Sequence, residues 1–213
     1  MTVTSDMVKK LREMSGAPMM ECKRALEEGQ GDIEAAYTIL RKRGQAAAAK
    51  KEGRVTKQGL IGSYVHQGAQ IAVIVEVNCE SDFVARTEEF QELAHDLAMQ
   101  ICATDPRFIR KEDVGPEVLE RERTILRDQA KSSGKPDSVV DRMVEGRLAK
   151  FYEDYCLYEQ HFIKEQGGAQ TIRELINAKI AKFGENIGVR RFARFKVGEG
   201  MGSAGSDGSA TNS

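Results

Sequence analysis

No stretch of this chain approaches the roughly 18 consecutive apolar residues needed to cross a bilayer. Its first residues, MTVTSDMVKKLREM, have the pattern of an amphipathic helix and not of a signal peptide. A cytoplasmic protein without membrane contact is therefore expected. A surplus of one charge is also missing, since 32 Lys and Arg face 33 Asp and Glu. Without a global field to hold nucleic acid, charge-driven binding has to come from local patches. Cys22, Cys79, Cys102 and Cys156 lie far apart, with no C-x-x-C pair and no His at ligand spacing. That spacing suggests neither zinc nor a disulfide framework, and four reduced, mostly buried thiols are expected. Catalytic signatures are absent too. His66, His95 and His161 have no nucleophile motif beside them, and there is no G-x-G-x-x-G, Walker or H-E-x-x-H pattern. Neither an enzyme nor a cofactor protein is suggested.

What is present is a globular composition, 40% apolar and 31% charged over 213 residues. Residues 1–44 form a compact three-helix pattern. Met7, Leu11 and Met14 mark the first helix, which stops at Gly16, and Pro18 opens a second carrying Met19, Cys22 and Leu26. Asp32 caps a third, whose apolar face is Ile33, Ala36, Tyr37 and Leu40, and Gly44 is its expected stop. A unit this small has a marginal core and tends to meet a partner through exposed apolar residues. Residues 45–57 bury little and read as a linker, or as a loose extension of the third helix.

From residue 58 to 198 the periods fit one α+β domain. Leu60–His66 and Ala69–Asn78 alternate as a hairpin about Gln67-Gly68, with Ile71, Val73, Val75 and Val77 on one face. Thr87 caps a helix carrying Phe90, Leu93, Ala94, Leu97, Ala98 and Ile101, ended by Asp105-Pro106. Pro116 opens another, and with the segment after Gly134-Lys135-Pro136 it forms an expected antiparallel helical hairpin. Gly167-Gly168 interrupts the helices, and Thr171 and Glu174 make a capping box for one that stops at Gly184. A last strand sets Val189, Arg191, Ala193, Phe195 and Val197 towards the core and a basic set outward. The tail, 199–213, is low-complexity and expected to be disordered.

One loop stands out. Ser81-Asp82-Phe83-Val84 sets an acid beside a large aromatic between a strand and a helix. It is either an apolar clasp onto the following helix or a probe offered to a partner, and the pattern alone favours the clasp.

LREMSGAPMMECKRAL (11–26) and EVNCESDFVAR (76–86) resemble, in order and spacing, the two signatures of the elongation factor Ts family. The likeness extends through GRLAKFYEDYCLYEQ, TIRELI and GENIGVRRFARF to nearly everything before the tail, as in the short, single-core bacterial or plastid-like form. It departs at Ser81, where Thr is usual, and at Pro18, where Gly is common. The resemblance implies an N-terminal ubiquitin-associated-like three-helix domain and a core of three antiparallel strands packed with helices. It implies a partner as well, the GTPase elongation factor Tu, whose GDP this protein releases. On this reading Asp82 and Phe83, with Ser81 and Val84, wedge between two GTPase helices and disturb its Mg²⁺ site, reversing the preference for a clasp. Arg12, Met19 and Met20 grip the nucleotide domain. Longer members carry two sheet-bearing halves where this chain has one, so a homodimer is expected. Two other classes stay open: a nucleic-acid binder using the basic linker with Arg190, Arg191 and Arg194, and an adaptor built on the three-helix module.

Overall fold

The computed structural model describes residues 3–131, 137–165 and 170–200, and in side-chain detail all of these except 131, 137 and 138. The first helix, α1 (Ser5–Ser15), is capped by the Thr4 hydroxyl, which accepts from the Met7 amide, and ends at left-handed Gly16. After Pro18 comes α2 (Met19–Glu28), and Asp32 caps α3 (Ile33–Ala49) by accepting from the Glu34 and Ala35 amides. Val8, Leu11, Cys22, Ala25, Leu26 and Ala36 close the core of this unit. Met14 and Met19, expected on the inner stripes, are instead exposed at 44% and 54%. Six buried side chains, with partly buried neighbours such as Met7, Ile33, Tyr37 and Leu40, complete so short a bundle, and a core this small leaves part of each helix's apolar stripe in solvent.

Gly44 does not stop α3. The helix runs five residues further, and Gly44 is buried where α3 crosses a later helix, a Cβ built on it lying 3.8 Å from the Asn177 carbonyl carbon. Gly16 and Gly184 end their helices by turning left-handed, whereas at Gly44 tertiary packing keeps the backbone helical. The alanine run expected as linker therefore begins as helix, with Ala48 resting on the main core.

That core is built on three antiparallel strands in the order β1 (Gln58–Val65), β2 (Ile71–Cys79), β3 (Gly188–Lys196). Val73, Val75, Val77 and Cys79 face inward on β2, as the alternation requires. A one-turn helix, α4 (Asp82–Ala85), leads into α5 (Glu88–Thr104), which covers the sheet with Phe90, Leu93, Ala94, Leu97, Ala98 and Ile101, all 2% exposed or less. Burying each large member contributes about 1.5–3 kcal/mol. The approach depends on Gly62, because a Cβ there would sit 2.6 Å from the Ala94 carbonyl oxygen.

On β3 the expected alternation breaks. The pairing slips between Glu76 and Val77, so Val189 points in, and beyond the bulge Phe192 and Arg194 take the inner side. Phe195 and Val197, expected towards the core, are 66% and 67% exposed.

The two long helices α6 (Pro116–Lys131) and α7 (Asp137–Tyr155) pack as a hairpin around Leu126, Ala130, Val140, Val144 and Leu148. Its expected turn at 134–136, the Gly167-Gly168 break and the tail from 201 lie outside the described residues. The last helix, α8 (Ile172–Phe183), has the expected Thr171/Glu174 capping box and left-handed Gly184 end. Its buried face, Ile172, Ile176 and Ile180, joins the sheet core, while α3 packs on the other side. Two polar side chains buried nearby satisfy each other: Gln100 donates to Gln160 and to the His161 carbonyl, and accepts from the Ile163 amide. No helix among the described residues is long and apolar enough to cross a membrane.

Candidate protein-interaction site

The chain leaves β2 at Cys79 and must turn sharply into α4. Ser81 begins that turn in an extended conformation, and its hydroxyl caps α4 by accepting from the Val84 amide at 3.4 Å. At the far end Thr87 donates to the Val84 carbonyl at 2.8 Å and caps α5. Ala85 is buried and Val84 packs on the core, so the inner side of the turn is seated. Its outer side carries Asp82, paired with Arg86 at 2.8 Å, and Phe83, whose side chain is 79% exposed. Phe83 does not clasp α5. Asp82 and Arg86 border an open depression of about 630 Å³ against β1, with His95 on its far wall.

Behind this turn stands a second segment. The Glu185 carboxylate accepts from the amides of Glu80 and Ser81 at 3.1 and 3.0 Å and from the Ser81 hydroxyl at 2.5 Å. In return the Glu80 carboxylate accepts from the Asn186 amide at 2.6 Å and pairs with Arg54 at 3.6 Å. The Cys79 thiol donates to the Ser81 carbonyl, and burial pushes it up to about 11, helped by the nearby Glu185 charge, so it is protonated at neutral pH. All four cysteines are free and buried.

The N-terminal group of expected contact residues lies elsewhere. Arg12 is exposed on α1, and Met19 and Met20 are 54% and 58% exposed at the start of α2. Met14 joins them as an exposed apolar residue that the spacing had assigned to the core. These side chains and Ser81–Val84 are not brought together. They sit on separate units joined by the packing of α3 on α8 and by the Arg41–Glu174 ion pair. An apolar cleft of about 240 Å³ at that junction, near Tyr37 and Leu40, reaches Pro18 and Glu21 beside the exposed methionines of α2 but none of Ser81–Val84.

The arginines of β3 are occupied. Arg191 and Arg190 reach the Glu76 carboxylate at 2.7 and 3.1 Å and hold it down at about 2. Arg194 is 10% exposed and pairs with Asp105 at 3.4 Å. Sequence reasoning missed Glu185 and Arg86. An i, i+4 pairing of Asp82 with Arg86 needs only the short helix to be recognised, whereas Glu185 lies 104 residues from Ser81 and leaves no local signal.

A family model described as Elongation factor TS matches residues 46–199, the sheet, both ends of the Glu185 contact and the Asp82-Phe83 turn included. The elongation factor Ts of Koribacter versatilis is 59% identical over 199 residues, covering 93% of this chain and 90% of that protein. That of Solibacter usitatus is 57% identical over 201 residues, or 94% of each chain. A third, from Carboxydothermus hydrogenoformans, is 57% identical over 93% of this chain and 91% of its own length. A core matched across its whole extent, together with relatives this similar along nearly the full chain, means that the protein belongs to the elongation factor Ts family.

Proposed function

We propose that this chain is a guanine-nucleotide exchange factor for elongation factor Tu in translation elongation. It binds the GDP complex, disturbs the Mg²⁺ and phosphate site, and lets GDP leave so that GTP can enter. On this reading it is not an enzyme and needs no cofactor of its own. The observation that carries it is Phe83, a large apolar side chain 79% exposed on a turn whose other side is anchored. Such a side chain gains by burial in a partner, roughly 1.5–3 kcal/mol. That alone does not expel a tightly held nucleotide, so the broader contact through Arg12, Met19 and Met20 supplies the rest. Mg²⁺ ties the phosphates to protein oxygens, and a small shift of one ligand removes much of that hold. Linkage makes the effect reciprocal: the factor weakens GDP by the ratio in which GDP weakens the factor.

Residues 1–44 act in this proposal as the gripping domain, 45–57 as the connection and 58–198 as the core. The core self-associates through the outer sheet face, where Ile61, Val65, Ile74 and Phe195 are 49–66% exposed. Pairing of Arg190 and Arg191 with Glu76 speaks against the nucleic-acid alternative.

The test is release of a fluorescent GDP analogue from elongation factor Tu at fixed Mg²⁺. The protein should accelerate release strongly. Phe83→Ala should keep its fold and slow exchange several-fold, because an exposed side chain contributes little to stability. An unchanged rate in Phe83→Ala would remove the wedge from the mechanism.

A further inference from the structure

Phe83 has almost no packing of its own, so its direction is set by the backbone of residues 80–84. That backbone cannot hold itself. A four-residue helix is far below the length at which helical hydrogen bonds offset their nucleation cost. Its N-cap bond, Ser81 hydroxyl to Val84 amide, is long at 3.4 Å.

One side chain compensates. Glu185 accepts three hydrogen bonds from the two residues immediately before α4, two from backbone amides and one from the capping hydroxyl itself. Charge-assisted bonds of this kind are about twice as strong as neutral ones. They also orient the Ser81 hydroxyl: with its proton given to Glu185, its lone pairs are left to receive the Val84 amide. Glu185 is itself well placed, since left-handed Gly184 (φ 74°) ends α8 and the next amide, of Asn186, is held by Glu80. The two segments thus exchange carboxylates across the edge of the core.

We infer that Glu185 is a positioning residue for the Asp82-Phe83 wedge, fixing α4 from the end of α8 without touching the partner. This inference rests on the exchange reading for its functional arm, but its structural arm stands alone.

Amide hydrogen exchange on the free, full-length protein tests the structural arm. Glu185→Ala should speed exchange at Val84, Ala85 and Arg86 roughly ten-fold, the factor carried by about one charge-assisted hydrogen bond, while β2 keeps its protection. Glu185→Gln retains an acceptor for the backbone amides and should change the same three amides less. If the Ala variant loses protection in β2 as well, the Gln variant decides. Unaltered exchange at those amides in the deciding variant overturns the inference, whatever the GTPase does.

In the GDP-release assay, Glu185→Ala should lower the maximal rate several-fold, by no more than Phe83→Ala does, at an unchanged half-saturating concentration, since it removes aim and not grip. Adding it to Phe83→Ala should cost little more, because both act through one side chain. Additive losses, or a change confined to the half-saturating concentration, overturn the positioning role. Failure of the wild-type protein to speed release would instead overturn the exchange reading and leave the hydrogen-exchange result to decide the anchor.

Discussion

Single carboxylates organise much of this molecule. Glu89 is one: burial works against its charge, yet Lys179 and Lys182 of α8, at 2.6 and 2.5 Å, hold it below the ordinary carboxylate range. Glu76 is held lower, at about 2 against an ordinary 4.5, by Arg191 and then Arg190. The sign follows from linkage. Its folded value lies below its unfolded one, so its contribution is complete above about 4.5 and is lost as pH falls towards about 2. Glu76→Gln cannot titrate, and its melting temperature should therefore fall less steeply than that of the wild type between those limits. Parallel curves would show that the pair does not couple to folding. Neither carboxylate network was legible from the sequence, where Glu, Lys and Arg simply alternate as on any solvated helix or strand. Phe83 was legible only as an oddity, because an aromatic in a loop has two opposite explanations and composition does not separate them.

Among the elements, those written in local patterns were read correctly. The hairpin about Gln67-Gly68, the Thr87-capped α5 and the Thr171/Glu174 capping box each follow from period and cap chemistry within a dozen residues. Those decided by a distant neighbour were not. Gly44 stays helical because α8 lies against it, and the bulge on β3 is set by pairing with β2, so neither leaves a trace in its own segment. Gly62 belongs to the same group, since only the approach of α5 gives its missing side chain a purpose. Gly62→Val should destabilise the protein by about 1–3 kcal/mol, as overpacking does, and lower the urea midpoint without altering the N-terminal unit. A midpoint equal to that of the wild type would mean that α5 can retreat from β1 at no cost.

For the whole molecule, the bulge decides what the sheet shows to solvent. With Phe195 turned out beside Ala72, its neighbour across the strands, and Ile74 two residues along, the outer face is apolar at its centre and carries the Glu76–Arg191 pair at its end. The proposed homodimer uses this face. Sedimentation at micromolar concentration should give the mass of two chains, and Ile74→Asp combined with Phe195→Asp should give one chain of unchanged helical content. A wild-type profile at monomer mass would sink the dimer.

The continuity of α3 has a further consequence for recognition. Its 17 residues make a rod about 25 Å long at 1.5 Å per residue, and its packing on α8 sets the methionine patch at a fixed span from Phe83. A partner that engages both points meets a ruler and not a leash. Once the first point is docked, the effective concentration of the second is high if the spacing matches and almost nil if it does not. On the proposed reading, the distance between the two footholds then selects among surfaces, even where each foothold alone accepts many.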